Sequence, residues 1–385
     1  MIADSIADGR KHWPRAKLAL TLDFTTSRPQ PPNVEKLAKH YLDLLGSGNG
    51  TQEQPLLYRD DRQVKMLYVS CRHSWDPDAP VARGRIHLAC CSRADAIASL
   101  EAAHELEVFH RGPTTLHADE SLQHEPHISD QLEDARRLEE SGDELLKRMA
   151  ADIRFDALRA HQEHFLGSSD QWLSRLFRSR GRELITGRPA AWEQRAARAL
   201  DAQDPNRSLT AWESTSLQDE LRGFFHVPLP ALPSQRGDRQ EFTKNLHEAC
   251  RRFLHAHPSM TPLVVPLRIT ILLVPPHDKD LDNLALEVVP VVEEHFRPHQ
   301  EPWLLDGTHV GLPAGLRNRD NELRKRRLAR LRSLGEYSVW AYQVIELHRR
   351  PEHPREGWMS VILGHGENRR SMWGEAEDYL TQALE

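Results

Sequence analysis

The stretch KDLDN, residues 279–283, puts Asp280 and Asp282 one residue apart at the start of an amphipathic pattern that runs to residue 296. Two chemistries fit this spacing. An aspartate at a helix start accepts hydrogen bonds from free N–H groups and suits the helix dipole, so both residues could serve only as caps. Where a strand gives way to a helix, however, the strict alternation of side chains breaks, and both carboxylates can turn toward one ion. Mg2+ takes carboxylate oxygens and waters in an octahedron, commonly with one or two protein carboxylates and a substrate phosphate. Asp306 in WLLDGTHV is the candidate third carboxylate. On a phosphate substrate, such a cluster would supply hydroxide and screen the charge that develops at phosphorus.

Holding these residues in place takes a strand before DLDN and a helix after it. The β-rich run VPLRITILLV (265–274) leads to the helical pattern 280–296, then to EPWLLDGTHV (301–310), a strand pattern at 337–350 and a last strand at 358–363. The beginning of the chain has the same order. AKLALTLDF (16–24) leads to the helical pattern PNVEKLAKHYLDLL (32–45), to the turn and strand QPLLYRDDRQVKMLYVSCRH (54–73), and to RIHLACC (85–91). Asp60 and Asp61 stand where the later copy has Asp306. The pattern is that of a duplication, although two ordinary α/β segments also resemble each other. Two features set the second copy apart: a preceding strand, turn and amphipathic helix at 224–257, and a basic insertion at 311–336. Residues 94–222 read as helices, with an acidic loop between the first two.

Composition narrows the function classes. The chain has 385 residues, enough for two or three domains, and a formal net charge of -6, which argues against coating nucleic acid by overall charge. No apolar run approaches the roughly 18 residues of a membrane span, and the first residues contain no apolar signal core. Four cysteines without CxxC spacing predict a reducing cytoplasm, buried thiols and no structural zinc. Local charge differs from the total. Residues 317–332 carry Arg317, Arg319, Arg324, Lys325, Arg326, Arg327 and Arg330, a candidate phosphate-contacting surface, or else the solvated face of a helix. Arg175, Arg178, Arg180 and Arg182 form a second basic group. His117, His124 and His127, in the acidic loop, read as surface histidines.

The order strand, DxDN helix, short loop and DDxQV strand resembles that of the RusA-type Holliday-junction resolvases. The likeness spans about residues 224–363 and, more weakly, 16–91. It implies an α+β fold with two RusA-like mixed β-sheet/helix domains forming a pseudo-dimer, at 1–93 and 223–385, joined by a helical region at 94–222. Asp280, Asp282 and Asp306 would be catalytic metal ligands, with Asn283 matching the family's asparagine and Leu286 in the place of its lysine. In the first copy Asn33 and Glu35 replace the aspartates, while Lys39 keeps the lysine and Asp60 and Asp61 precede Gln63 and Val64. Lys39, Asp60 and Asp61 would then form an altered second site, with Glu35 and Asp61 as its metal ligands. The implied activity is a Mg2+-dependent endonuclease, with Mn2+ as the other ion, that hydrolyses phosphodiesters in branched or double-stranded DNA to a 5′-phosphate and a 3′-hydroxyl. The rival expectation is a non-catalytic branched-DNA-binding module that recruits partners.

Overall fold

In a computed structural model the protein is described over residues 16–27, 32–46, 56–73, 84–111, 128–191, 226–228, 239–277, 280–298, 337–351, 353–367 and 370–385. It is a mixed α+β structure with one mixed sheet of seven strands. Strands β1 (Leu18–Thr26), β2 (Val64–His73), β3 (Arg85–Ser92), β4 (His226–Pro228), β5 (Leu267–Val274), β6 (Val339–Glu346) and β7 (Trp358–His365) lie in the order β3-β1-β2-β6-β5-β7-β4. Helix α1 (Val34–Leu45) connects β1 to β2, and the later helices are α2 (Arg93–Arg111), α3 (Ile128–Glu140), α4 (Glu144–Thr186), α5 (Arg239–Ala256), α6 (Leu281–His295) and α7 (Met372–Leu384).

The repeated order of elements is also a repeated pairing. β1 pairs parallel with β2 and antiparallel with β3, and β5 pairs parallel with β6 and antiparallel with β7. A register shift follows Leu18↔Val64 in one half and Leu267↔Val339 in the other. Four residues on from Val64 and from Val339 stand Tyr68 and Gln343, and these two face each other in the antiparallel β2–β6 pair that joins the halves. Strands from both halves therefore share one sheet, with matching residues meeting at its centre.

Alternation along the strands separates two cores. Leu20, Leu22, Leu67, Val69, Ile269 and Ile271 face a cluster built with α1, α5 and α6, while Ala19, Met66, Tyr68 and Leu272 face one built with α2 and α7. β5 is buried along its whole length, as its largely apolar sequence requires of a central strand covered on both faces. Its one charge, Arg268, is fully buried and meets Asp170 of α4 at 2.8 Å and Glu375 of α7 at 3.2 Å.

In the helical middle the sequence pattern gives one helix over 128–153 and another from 169, whereas the structure has helices over Ile128–Glu140 and Glu144–Thr186. α4 runs unbroken, because Phe155, Leu158, Phe165 and Leu166 recur at helical spacing and are all buried. The break comes earlier, at Gly142 (φ 79°), after which Asp143 caps α4 by accepting from Leu145 N at 2.7 Å. Arg178, Arg180 and Arg182, the second basic group of the sequence, pair with Glu107, Glu183 and Glu101.

All four cysteines are free; Cys71 and Cys250 are buried, Cys90 and Cys91 partly so, and burial pushes every thiol above its ordinary range. Among the described residues no helix is long and apolar enough to cross a membrane.

Candidate metal centre

α1 and α6 pack against the same face of the sheet and against each other, running in opposite directions. The start of α6 therefore meets the later turns of α1. Asp282, the second residue of α6, is only 4% exposed, and Lys39 Nζ lies 2.8 Å from its Oδ2. The same ammonium lies 2.9 Å from Asp43 Oδ1, one turn further along α1. Asp61 enters from the loop before β2, and carboxylate oxygens of Asp43, Asp61 and Asp282 all lie within 4.8 Å of one another.

Each supporting element has a local cause. The loop YRDDRQV closes into a 3₁₀ turn, Asp61–Gln63, whose cap is Asp60: its side chain accepts from Arg62 N while Gln63 Oε1 accepts from Asp60 N. Asp60 is further tied by the Arg62 guanidinium, which holds its carboxyl below the usual range. Asp61, left free by this division of labour, points into the cluster. Gly46, at the end of α1, makes room for it, since a Cβ there would lie 2.8 Å from Asp61 Oδ1. Behind both, the Tyr58 ring is fully buried and its hydroxyl donates to Leu42 O at 2.9 Å.

The electrostatics are those of crowded carboxylates with one resident cation. Burial, then the charge of Asp282, pushes Asp61 up to about 6, against the opposing pull of Lys39. Asp280 is raised by burial and by the Asp282 and Asp60 carboxylates. Burial alone would depress Lys39, but its hydrogen bonds to Asp282 and Asp43 outweigh that and raise it.

Asp282, Lys39 and Asp61 converge, although they come from the two different halves of the chain. Asp280 occupies the N-cap position of α6 without making a capping hydrogen bond; it accepts instead from Asn283 Nδ2 at 3.1 Å and flanks the cluster. Asp60 serves as a cap. Glu35 is buried on the same helix as Lys39 but is not a member of the cluster. Asp306, the basic residues Arg317, Arg319, Arg324, Lys325, Arg326, Arg327 and Arg330, and His117, His124 and His127 lie outside the described residues. Asp43 is the member that sequence reasoning missed. Its signal was its position four residues after Lys39, which puts both on one helix face.

The cluster fits a hard divalent cation. Its ligands are carboxylate oxygens only, close enough that a modest contraction would set them around one Mg2+ or Mn2+. Three carboxylates against one lysine also leave an excess of negative charge in a partly buried site, which an added cation would relieve. Comparisons of the chain with protein-family models, with curated proteins and with solved structures find no match.

Proposed function

We propose that the chain is a divalent-metal-dependent nuclease, a single-chain pseudo-dimer of two RusA-like units that share one composite site and act on branched or double-stranded DNA. The observation that carries this reading is the meeting of Lys39 and Asp61 from one copy with Asp282 from the other. Each copy lacks what the other supplies: Leu286 stands in the lysine's place in the second, and Asn33 and Glu35 stand in the aspartates' places in the first. One complete set survives, and it is assembled across the junction of the halves.

In this reading Asp61, Asp282 and Asp43 would hold Mg2+ or Mn2+, with Asp280 beside them, and the ion when bound would supply an activated water and screen charge on the phosphate. Lys39 holds Asp282 and Asp43 in register, which leaves one N–H of its ammonium for a phosphate oxygen. Arg317, Arg319, Arg324, Lys325, Arg326, Arg327 and Arg330 are assigned to the DNA backbone on their charge and clustering alone.

The Lys39 pairs also suit the rival reading, a branched-DNA-binding module in which the cluster is a structural ion-pair network. One experiment separates the two. Labelled four-way junction and linear duplex are incubated with Mg2+, Mn2+ or EDTA, with the parent chain and with Asp282→Asn and Asp61→Asn. Metal-dependent cutting that both substitutions abolish supports the nuclease. Tight junction binding with no cutting under any metal favours the module, and indifference to DNA removes both.

A further inference from the structure

Away from the carboxylate cluster, two histidines meet between helices. α5 and α6 are tied twice, Arg239 to Glu287 at 3.4 Å and His247 Nδ1 to His295 Nε2 at 2.9 Å. The second tie follows the first by the same distance along both helices, so α5 and α6 run parallel and the ties share one seam. Both imidazole rings are half-buried, so solvent reaches the pair.

A hydrogen bond between two neutral imidazoles uses one N–H and one lone pair, and the same two nitrogens can instead both give lone pairs to an ion. The ring centroids lie 5.1 Å apart. An ion about 2.05 Å from each nitrogen sits about 3.2 Å from each centroid, and at a tetrahedral angle that places the centroids about 5.2 Å apart. The rings therefore need only pivot about their centres, and neither helix has to move. The surroundings suit a cation. His295 is the last residue of α6, where the helix dipole is negative. Burial, then the charge His247 would carry, holds His295 below its usual range, so at neutral pH its ring is uncharged. Of the charges beside the pair, Arg251 is held by Glu248 at 3.1 Å, and Glu294 opposes it.

We propose that His247 and His295 are the two protein ligands of a borderline divalent cation, Zn2+ or Cu2+, that clips α5 to the end of α6. Imidazole pairs select these ions over Mg2+ and Mn2+, which take oxygen ligands. Among the described residues no third histidine, cysteine or carboxylate joins the pair, so water completes the coordination. Asp282 and His295 stand near opposite ends of α6, about 20 Å apart along its axis. This site is therefore separate from the carboxylate cluster and stands whether or not that cluster cuts DNA.

The test is Cu2+ titration of the full chain in excess Mg2+, read by paramagnetic resonance, in which each imidazole nitrogen bound to copper splits the signal. His117, His124 and His127 are first replaced by glutamine, so that the acidic segment around them supplies no imidazole. This parent is expected to show one bound ion split by two nitrogens. His247→Gln and His295→Gln keep a side chain able to hydrogen-bond across the seam, and each should lose that signal. Asp282→Asn should keep it. Arg239→Ala, which removes the other tie and leaves both histidines, should also keep it, and so separates the loss of a ligand from a loosened seam. The proposal is overturned by a parent signal with fewer than two nitrogens, by survival of the two-nitrogen signal in either histidine variant, or by its loss in Asp282→Asn or Arg239→Ala.

Discussion

Lys39 and Asp282, 243 residues apart, are joined by a 2.8 Å hydrogen bond between an ammonium and a carboxylate that is nearly sealed from solvent. A second pair, Lys65 and Glu346, bonds at 2.7 Å where β2 meets β6, and both side chains are buried. Each pair takes one partner from each half of the sheet. The halves are therefore bound to each other by buried charge as well as by strand pairing, and truncating either partner leaves the other charge buried alone.

Lys39→Met should expose this dependence. Without metal, Asp282, Asp43 and Asp61 would face each other with no cation, and the expected loss is roughly 2 kcal/mol, below the full penalty of a sealed pair because Lys39 is partly exposed. A divalent ion can stand in for the ammonium, so Mn2+ should restore most of that stability in a urea melt. Failure of Mn2+ to stabilise the variant would count against a cation site at the cluster.

Gly46→Ala tests the space kept for Asp61. The backbone there has φ -87°, which alanine adopts without strain, but its Cβ would stand 2.8 Å from Asp61 Oδ1. Asp61 must shift, and metal affinity should weaken by about tenfold, the cost typical of disturbing a ligand's support, with stability changed by no more than about 1 kcal/mol. Gly167→Ala, where a Cβ meets nothing within 4 Å inside α4, is the control. It should leave affinity alone and stabilise by roughly 0.5 kcal/mol. Calorimetric titration of the two variants compares them directly.

Asp61 sets a pH dependence of definite sign. Its folded-state value is raised from 3.8 to about 6. In EDTA the folded chain then holds a proton that the unfolded chain releases, so this residue's share of stability is complete below about pH 4 and is lost as pH rises to about 6. Metal binding runs the other way, because the ion competes with that proton. Mn2+ affinity should rise up to about pH 6 and level off above it, and Asp61→Asn should flatten the profile.

Periodicity made the repeated order of elements legible, since β5 and β1 are largely apolar and α1 and α6 begin after short polar loops. The partition of the site was not legible, because which half's lysine meets which half's aspartate depends on how α1 docks on α6. Nor does YRDDRQV reveal that Asp60 caps the turn while Asp61 is released to the cluster; the difference lies in the 3₁₀ geometry and in Arg62. Asp43 escaped because a lone aspartate on a helix face is usually solvated. Only its spacing from Lys39 hinted otherwise.

Glu293 sets a second pH dependence, again of definite sign. Burial, then the Glu35 carboxylate, pushes it up to about 8. In EDTA its contribution is therefore present below about pH 4.5 and lost as pH climbs through 8. Glu293→Gln removes the ionisable group, so the variant should match the parent at pH 5 and exceed it by roughly 2 kcal/mol at pH 8.5. Thermal melts in EDTA at the two pH values give the comparison. A variant no more stable than the parent at pH 8.5 would mean that burial does not hold a proton on Glu293.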